Sequence, residues 1–364
     1  MKTRAAVFWG PGRPLTVEEI DLAEPGPDDV VVRMAAVGIC GTDLHNVKGE
    51  WSRPTPMVLG HEGAGVVEAV GDAVEGLAPG DEVVLSWAPS CGECTDCRRG
   101  RPAACVPLHR AIGAGTLVDG TTGMSLGGET LYRGTATGCL AERVVVSSRV
   151  ALPIGQGVPL RDAALLGCAA LTGVGAVLFA AEVTPGSSVL VVGAGGVGQF
   201  VAQGARIAGA ETIVAVDPVE GRREQALGLG ATHAFDPDEL DAAMSEVAPD
   251  GVDYAFDAVG DPSATETALR FTRSGGTTVI VGLPAAGARL DLDPAQFTRR
   301  EKRLTGTMYG SEDPAVALPV LLEHVRAGTL DLHGLVGPEY PLDRVDEAIE
   351  AALGGVPGRV LVTP

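Results

Sequence analysis

The chain has 364 residues, of which 45% are hydrophobic, so it can bury a large core and is long enough for two domains. Its formal charge of -20 at pH 7 argues against nucleic acid as a partner, because binding to phosphates needs a basic surface.

The first part of the chain is predicted to be rich in β-structure. The opening MKTRAAVFWGPG has basic residues but no apolar stretch after it, so we expect no secretion signal. Up to about residue 160, valine-rich runs alternate with Gly, Pro and Asp, which predicts a many-stranded, mostly antiparallel β domain. These runs are Val30–Val32, Val66–Val67, Val83–Leu85 and Val144–Val146.

Six of the seven cysteines fall into two patterns typical of zinc sites. One is a C-x2-C-x2-C-x7-C run, in which four thiolates can complete a tetrahedron around one ion: Cys91, Cys94, Cys97 and Cys105. Glycine and charged residues between them favour a surface loop folded around a structural zinc over the alternative, a redox-active cysteine cluster.

The second pattern is open. Cys40, His61 and Cys168 are three soft ligands spread along the chain, which leaves a fourth position on the metal for water or substrate. Together the two patterns predict a zinc enzyme with two zinc ions per subunit. Cysteines arranged as metal ligands without a secretion signal indicate the reducing cytoplasm.

The uncharged stretch Ala163–Ala181 is near the length of a membrane helix, and a membrane span is the alternative to a buried helix. It contains Cys168, Thr172 and several glycines, and the turn at Pro185-Gly186 leads directly into an apolar strand. We therefore expect a buried helix that links two domains, and no membrane partner.

From about residue 185 to 308, apolar strands alternate with Ala-rich helical segments, the pattern of an α/β doubly wound parallel sheet. The predicted strands are Ser188–Val192, Ile213–Asp217, Tyr254–Ala258 and Thr277–Val281. The tail predicts two helices, Ala315–Ala327 and Asp343–Leu353, and a last strand Arg359–Val362 that returns to the first domain. The domains are thus expected at 1–169 with 309–364, and at 170–308.

A glycine motif predicts what the second domain binds. Gly193-Ala194-Gly195-Gly196-Val197-Gly198 follows the first predicted strand and opens a helix, so that Gly193 allows the tight turn and Gly195 lets a pyrophosphate approach the helix N-terminus. Asp217 ends the next strand, where its carboxylate can bind both ribose hydroxyls and repel a 2'-phosphate. This context favours NAD over NADP, and over a plain strand-helix turn with a capping carboxylate.

A Lewis-acidic zinc beside a nicotinamide predicts the reversible oxidation of an alcohol to an aldehyde or ketone. The motifs also carry a family resemblance: the chain resembles the zinc-dependent medium-chain alcohol dehydrogenases over its whole length. The matching segments are GICGTDLH at 38–45, LGHEGAG at 59–65, the cysteine run at 91–105, LGCAALTG at 166–173, GAGGVG at 193–198 and GRVLV at 358–362. The resemblance implies a GroES-like catalytic domain and a Rossmann coenzyme domain.

By this resemblance, Cys40, His61 and Cys168 hold the catalytic zinc. It implies that Glu62 lies behind the metal or binds it transiently, and that Asp43 orients the histidine ligand. A helix cap is the alternative role for Asp43.

The resemblance further implies a proton relay, in which Thr42 hydrogen-bonds the substrate oxygen and the path runs through the ribose of the cofactor to His45 at the surface. Without the resemblance, His45 would be an ordinary surface histidine.

For the cofactor, the resemblance places Val197 and Thr172 on either side of the nicotinamide. It also implies that Arg222 and Arg359 reach the adenosine ribose and the pyrophosphate. For both arginines the alternative is a solvated surface charge.

The positions that correspond to the family's substrate cleft are apolar or aromatic: Trp51, Trp87, Leu140, Leu283 and Met308. Such a wall favours primary alcohols with hydrophobic, aromatic or allylic groups over polyols. Two alternatives stay open: a dehydrogenase of a formaldehyde-thiol adduct, with His109 and Arg110 as candidates at the cleft mouth, and a relative without zinc or turnover. The length of the segment Ala111–Thr137 resembles that of the dimeric class I and class III branch, which predicts a homodimer.

Overall fold

The computed structural model describes residues 1–364, and the chain divides into two units. The first unit comprises Met1–Cys168, Asp313–Arg326 and Val336–Pro364, and the second comprises Ala169–Glu312 and Ala327–Leu335.

Eleven strands and four helices form the part of the chain before residue 169. The strands are β1 (Lys2–Phe8), β2 (Thr16–Leu22), β3 (Asp29–Gly38), β4 (Met57–Val58), β5 (Glu62–Val70), β6 (Glu82–Leu85), β7 (Met124–Leu126), β8 (Glu129–Thr130), β9 (Tyr132–Arg133), β10 (Arg143–Ser147) and β11 (Ala151–Pro153). The helices are α1 (Gly41–Lys48), α2 (Thr95–Arg98), α3 (Val106–Ala114) and α4 (Leu160–Ala163).

Strands and helices then alternate up to residue 306: α5 (Ala169–Gly175), β12 (Ser188–Val192), α6 (Gly196–Ile207), β13 (Thr212–Val216), α7 (Glu220–Leu229), β14 (His233–Phe235), α8 (Leu240–Val247), β15 (Val252–Asp257), α9 (Pro262–Phe271), β16 (Thr272–Ile280), α10 (Ala295–Thr298) and β17 (Arg303–Gly306). The tail contains α11 (Pro314–Arg326), β18 (Val336–Pro341), α12 (Val345–Leu353) and β19 (Arg359–Thr363).

Two mixed, mostly antiparallel sheets build the first unit. Their strand orders are β8-β7-β2-β1-β4-β9 and β11-β6-β5-β3-β19-β18, with β10 also paired to β3. The last strand of the chain lies against β3, with Leu361 opposite Gly38, so the predicted return of the tail to the first domain is observed. The valines of the predicted runs are buried, except the half-buried Val66, and the mostly antiparallel β fold expected for this part is confirmed.

A single parallel sheet, in the order β14-β13-β12-β15-β16-β17, forms the centre of the second unit. Along β12, Val189 and Val191 belong to one buried cluster, while Leu190 and Val192 belong to another. The strand is therefore covered on both faces, which explains its unbroken apolar sequence. The doubly wound α/β fold predicted for this part is confirmed.

The segment Ala327–Leu335 differs from the predicted domain boundaries, because it groups with the second unit although 309–364 was expected to belong wholly to the first. Its backbone is held by α6. The buried side chain of Gln203 accepts a hydrogen bond from the N–H of Asp331 at 2.8 Å and donates one to its carbonyl at 3.0 Å, and Arg206 donates to the carbonyl of Thr329.

No single helix is both long and apolar enough to cross a membrane. One bent pair of helical segments, Leu160–Gly167 with Ala169–Ala180, passes that test by length and composition. Most of its residues are buried in the structure.

Candidate catalytic and metal sites

The structure brings Cys40, His61 and Cys168 together in the first unit. Cys40 follows β3 and precedes α1, His61 directly precedes β5, and all three side chains are buried. Their ligand atoms lie within 4.8 Å of one another, and the two sulfurs are 3.9 Å apart. Two sulfurs bound at about 2.3 Å to one tetrahedral zinc would lie about 3.8 Å apart, so this donor set fits zinc.

Asp43 both caps α1 and faces the histidine of this set. Its Oδ2 accepts a hydrogen bond from the N–H of Cys40 at 3.0 Å, and its Oδ1 accepts one from the N–H of Gly60 at 3.1 Å. Oδ1 also lies 3.4 Å from Nδ1 of His61, at the outer limit of hydrogen bonding. The Nδ1 side of the ring is thus turned to Asp43, which leaves Nε2 as the nitrogen for a metal. The two roles considered for Asp43 are compatible.

The electrostatics of this set favour a bound cation. The contact with the Cys168 thiol lowers the pKa of Cys40 well below its usual range, and the same contact together with burial raises the pKa of Cys168. Burial lowers the pKa of His61, but the charges of Asp43 and Cys40 outweigh this effect and raise it to about 10. A metal ion that binds here must therefore displace protons from the ligands.

Glu62 does not join the ligand cluster but pairs with Arg359. Nε and Nη2 of Arg359 each donate to one carboxylate oxygen of Glu62 at 2.7 Å, and Nη1 donates to the carbonyl of Ile39 at 3.2 Å. Burial raises the pKa of Glu62 to about 7, against the opposing charge of Arg359. The guanidinium predicted to reach a pyrophosphate is turned toward Glu62 in this structure, and its cofactor contact stays a prediction.

Strand order explains how this ion pair forms. Glu62 begins β5 and Arg359 begins β19, while Gly38 lies on β3, the strand between them. A Cβ on Gly38 would lie 2.3 Å from Oε1 of Glu62. Only a residue without a side chain allows the Glu62 carboxylate to occupy this place.

The four cysteines of the closed pattern also converge. Their sulfurs lie within 4.8 Å of one another, with 3.9 Å from Cys91 to Cys97 and 3.5 Å from Cys94 to Cys97. Backbone N–H groups support the sulfurs: Cys91 donates to Cys105 and Cys94 donates to Cys91, both at 3.3 Å. The N–H of Cys97 lowers the pKa of the Cys94 thiol to about 6. These distances again fit a tetrahedral zinc with four sulfur ligands.

The glycine motif has the geometry of a dinucleotide-binding turn. Gly193 has φ +93, a conformation that favours glycine, and a Cβ on Gly198 would lie 1.8 Å from the Gly193 carbonyl oxygen. A Cβ on Gly195 would meet nothing within 4 Å, so there is room for a phosphate above it. Gly196 begins α6, and Val197 beside it is half-buried.

Asp217 lies beside this turn in the second unit. Its Oδ2 accepts a hydrogen bond from the N–H of Ala194 at 2.9 Å, and its Oδ1 accepts one from the N–H of Val219. Nη1 of Arg222 lies 3.6 Å from Oδ2 of Asp217, and the contact of Arg222 with the adenosine ribose stays a prediction. Thr172 is largely buried on α5.

Thr42 and His45 lie one turn apart on α1, and His45 has a neighbour that the sequence did not reveal. Nδ1 of His45 hydrogen-bonds the carboxylate of Glu50. The ring of Trp51 stacks on that of His45, with a centroid distance of 4.5 Å and an interplanar angle of 22°.

The residues proposed for the substrate wall have different environments. Trp87 is buried, and its ring meets that of His61 edge to face at a centroid distance of 6.2 Å. Leu140 is fully buried in the core of the first unit, and not at its surface. In the second unit, Leu283 is 48% exposed and Met308 is half-buried. The contribution of each to a substrate wall stays a prediction.

Two family models match the chain. Residues 26–156 match the alcohol dehydrogenase GroES-like domain, and residues 196–323 match the zinc-binding dehydrogenase domain.

Individual relatives cover nearly the whole chain. Alcohol dehydrogenase B of Mycobacterium tuberculosis is 37% identical over 98% of this chain and 96% of its own length. S-(hydroxymethyl)glutathione dehydrogenase of Escherichia coli is 35% identical over 96% of both chains. The crystal structure of benzyl alcohol dehydrogenase from Acinetobacter calcoaceticus superposes with a TM-score of 0.93 at 31% identity, covering 100% of this chain and 99% of that one.

Proposed function

This chain belongs to the family of zinc-dependent medium-chain alcohol dehydrogenases, and we propose that it reversibly oxidises a hydrophobic primary alcohol, aromatic or allylic, to the aldehyde with NAD. Members of this family are oxidoreductases, so the chain is an enzyme that uses zinc and a nicotinamide cofactor. We propose NAD as the nicotinamide cofactor and two zinc ions per subunit.

The chemistry of the cofactors sets the task of the protein groups. When bound, zinc polarises the substrate oxygen as a Lewis acid, and the nicotinamide takes up hydride from the carbon that carries this oxygen. Cys40, His61 and Cys168 hold the metal in a buried place, which keeps bulk water away from the reacting atoms. The alcohol proton then needs a route outward, and we assign it to the Thr42 hydroxyl and the ring of His45.

The choice of NAD follows from Asp217. Its side chain is only 4% exposed and beside the glycine turn, so a 2'-phosphate would meet a buried negative charge there. The ribose hydroxyls of NAD can instead donate to this carboxylate.

The substrate class rests on one observation, the indole of Trp87 packed edge to face against His61 at 6.2 Å. An aromatic ring next to a metal ligand supports an aromatic wall for the substrate. Hydroxyl groups of a polyol would be left without partners against such a wall, whereas an aromatic or allylic group would pack on it. Similarity to a benzyl alcohol dehydrogenase supports the same class.

A second candidate is the oxidation of a formaldehyde-thiol adduct, which the similarity to S-(hydroxymethyl)glutathione dehydrogenase favours. An anionic thiol conjugate needs cations to bind it. His109 and Arg110 are exposed on α3 and are the groups that a test of this candidate should remove.

The test combines zinc content with kcat/KM for benzyl alcohol, cinnamyl alcohol, sorbitol and S-(hydroxymethyl)glutathione, each with NAD and NADP. We expect two zinc ions per subunit and the highest kcat/KM for the aromatic alcohols with NAD. Cys168→Ala should lose one zinc ion and the activity. The control Cys139→Ala changes an equally buried cysteine outside both zinc sets, and it should keep two zinc ions and the activity. A kcat/KM for sorbitol equal to or above that for the aromatic alcohols would refute the apolar wall. A higher kcat/KM for S-(hydroxymethyl)glutathione would favour the second candidate.

We further propose that the protein is a homodimer in a reducing cytoplasm. None of the seven cysteines forms a disulfide, and the zinc ligands must stay reduced. Light scattering gives the mass in solution, and a monomer or tetramer would contradict the proposed assembly.

A further inference from the structure

The neighbour of His45 is a carboxylate with access to water. Glu50 is 31% exposed at its side chain, whereas the His45 side chain is 20% exposed. Because Nδ1 of His45 faces Glu50, Nε2 is the ring nitrogen left for the proton from the substrate side. The Trp51 ring lies against the imidazole face and restricts its rotation.

The backbone fixes this contact. Helix α1 ends at Gly49, which has φ 74 and ψ 22, and the N–H of Gly49 donates to the carbonyl of Asn46. The N–H of Glu50 donates to the carbonyl of His45 itself at 3.0 Å. These two bonds form a Schellman motif, in which the residue after the glycine contacts the helix residue five positions earlier. That contact is commonly apolar, but here it joins a histidine to a carboxylate.

We propose that Glu50 positions the imidazole of His45 and receives the relayed proton from it. The inference rests on the proposed function, since it continues the proton path from Thr42 to His45. As Nε2 of His45 takes up the proton that leaves the alcohol, Nδ1 gives its own proton to the Glu50 carboxylate, which releases it to water. One proton enters the ring and one leaves it, so the ring ends with its proton on Nε2 and regains the Nδ1–H form by proton exchange with water before the next turnover.

Thr42 and His45 are compatible with this path because residues three apart share one face of a helix. Glu50 is the more exposed member of its pair with His45, while Thr42 is two residues from Cys40 along the chain. A merely structural contact would need only a hydrogen-bond acceptor for Nδ1 of His45, which a glutamine at position 50 also provides.

The test compares Glu50→Gln with wild type in single-turnover experiments that follow NADH formation and proton release together. The glutamine oxygen can still accept a hydrogen bond from Nδ1, but it does not take up the proton. We expect both signals to slow by about tenfold or more, up to the roughly hundredfold at which general acid-base effects begin, with zinc content and alcohol KM little changed. Formate should restore much of the rate in Glu50→Ala, because a small carboxylate can replace the missing one.

Two further variants separate the possible causes. In a His45→Gln background, Glu50→Gln should have little additional effect, because the path is already interrupted. Glu19→Gln removes an exposed carboxylate paired with Lys2 and should leave the rates at the wild-type level. Nitrogen-15 NMR resolves the ring nitrogens of the six histidines, and the signals that disappear in His45→Gln belong to His45. They should show a proton on Nδ1, and the chemical shift of Nδ1 should change in Glu50→Gln.

The outcomes distinguish this inference from the function on which it rests. Wild-type protein without alcohol oxidation would refute the proposed function and this inference together. If the wild-type protein oxidises alcohol, unchanged rates in Glu50→Gln, or no rescue of Glu50→Ala by formate, would refute the role of Glu50 and leave the proposed function standing.

Discussion

Replacing Gly38 by alanine should break the buried ion pair of the first unit. The new Cβ would lie 2.3 Å from Oε1 of Glu62, whereas ordinary contacts begin near 3.4 Å, so the carboxylate must move by about 1 Å. Both hydrogen bonds to Arg359 are 2.7 Å long, and such a shift takes them beyond hydrogen-bonding distance. Breaking a buried ion pair costs about 3–5 kcal/mol, or a fall in Tm of roughly 6–20 °C for a unit of this size.

Urea unfolding followed by tryptophan fluorescence measures the free energy of unfolding of the first unit, because Trp9, Trp51 and Trp87 all belong to it. Gly113→Ala is the matched control: this glycine is exposed on α3, and its new Cβ would meet only Nη1 of Arg53 at 3.9 Å. The control should change the unfolding free energy by less than about 1 kcal/mol, in the stabilising direction. A change of less than about 1 kcal/mol in Gly38→Ala as well would show that the Glu62–Arg359 pair does not depend on Gly38.

Two other substitutions test the sites separately. Cys94→Ala should lower the zinc content from two ions to one per subunit while NAD-linked oxidation persists, and loss of both ions would contradict two independent sites. Asp217→Gly should remove the negative charge that faces a 2'-phosphate, so that kcat/KM with NADP rises relative to NAD. Unchanged coenzyme preference, measured with one alcohol at saturation, would show that Asp217 does not select the coenzyme.

Strands and helices whose signal lies within their own residues could be predicted from the sequence. The strand Ser188–Val192 has the predicted bounds, because it is an unbroken apolar run between a turn and a glycine motif. Strand β16 begins at Thr272, five residues before the predicted Thr277, since its exposed Arg-Ser-Gly part has no apolar periodicity. The edge strands His233–Phe235 and Arg303–Gly306 were not predicted for the same reason, as they are short and incompletely buried.

Contacts that depend on strand order or on the conformation of a helix end could not be predicted from the sequence. The metal-ligating residue types and their motifs led to the ligand set that the structure brings together. For Arg359, by contrast, the sequence suggested a cofactor contact or a solvated surface charge, because its pairing with Glu62 requires β19 to lie next to β3. Glu50 was missed since its contact with His45 depends on the αL conformation of Gly49. A glycine followed by an acidic residue, just after a helix that carries a histidine, is the signal that could have revealed it.

The position of β19 also orders events during synthesis. Glu62 and Arg359 are separated by 297 residues, so at 5–20 residues per second the ribosome delivers the arginine roughly 15–60 s after the glutamate. During that interval the nascent first unit has an open edge on β3 and a carboxylate without its cation. The sheet that begins beside the metal ligands is completed only when β19 emerges. A nascent chain that has not yet reached β19 therefore contains Cys40, His61 and Cys168 but lacks the strand that completes this sheet.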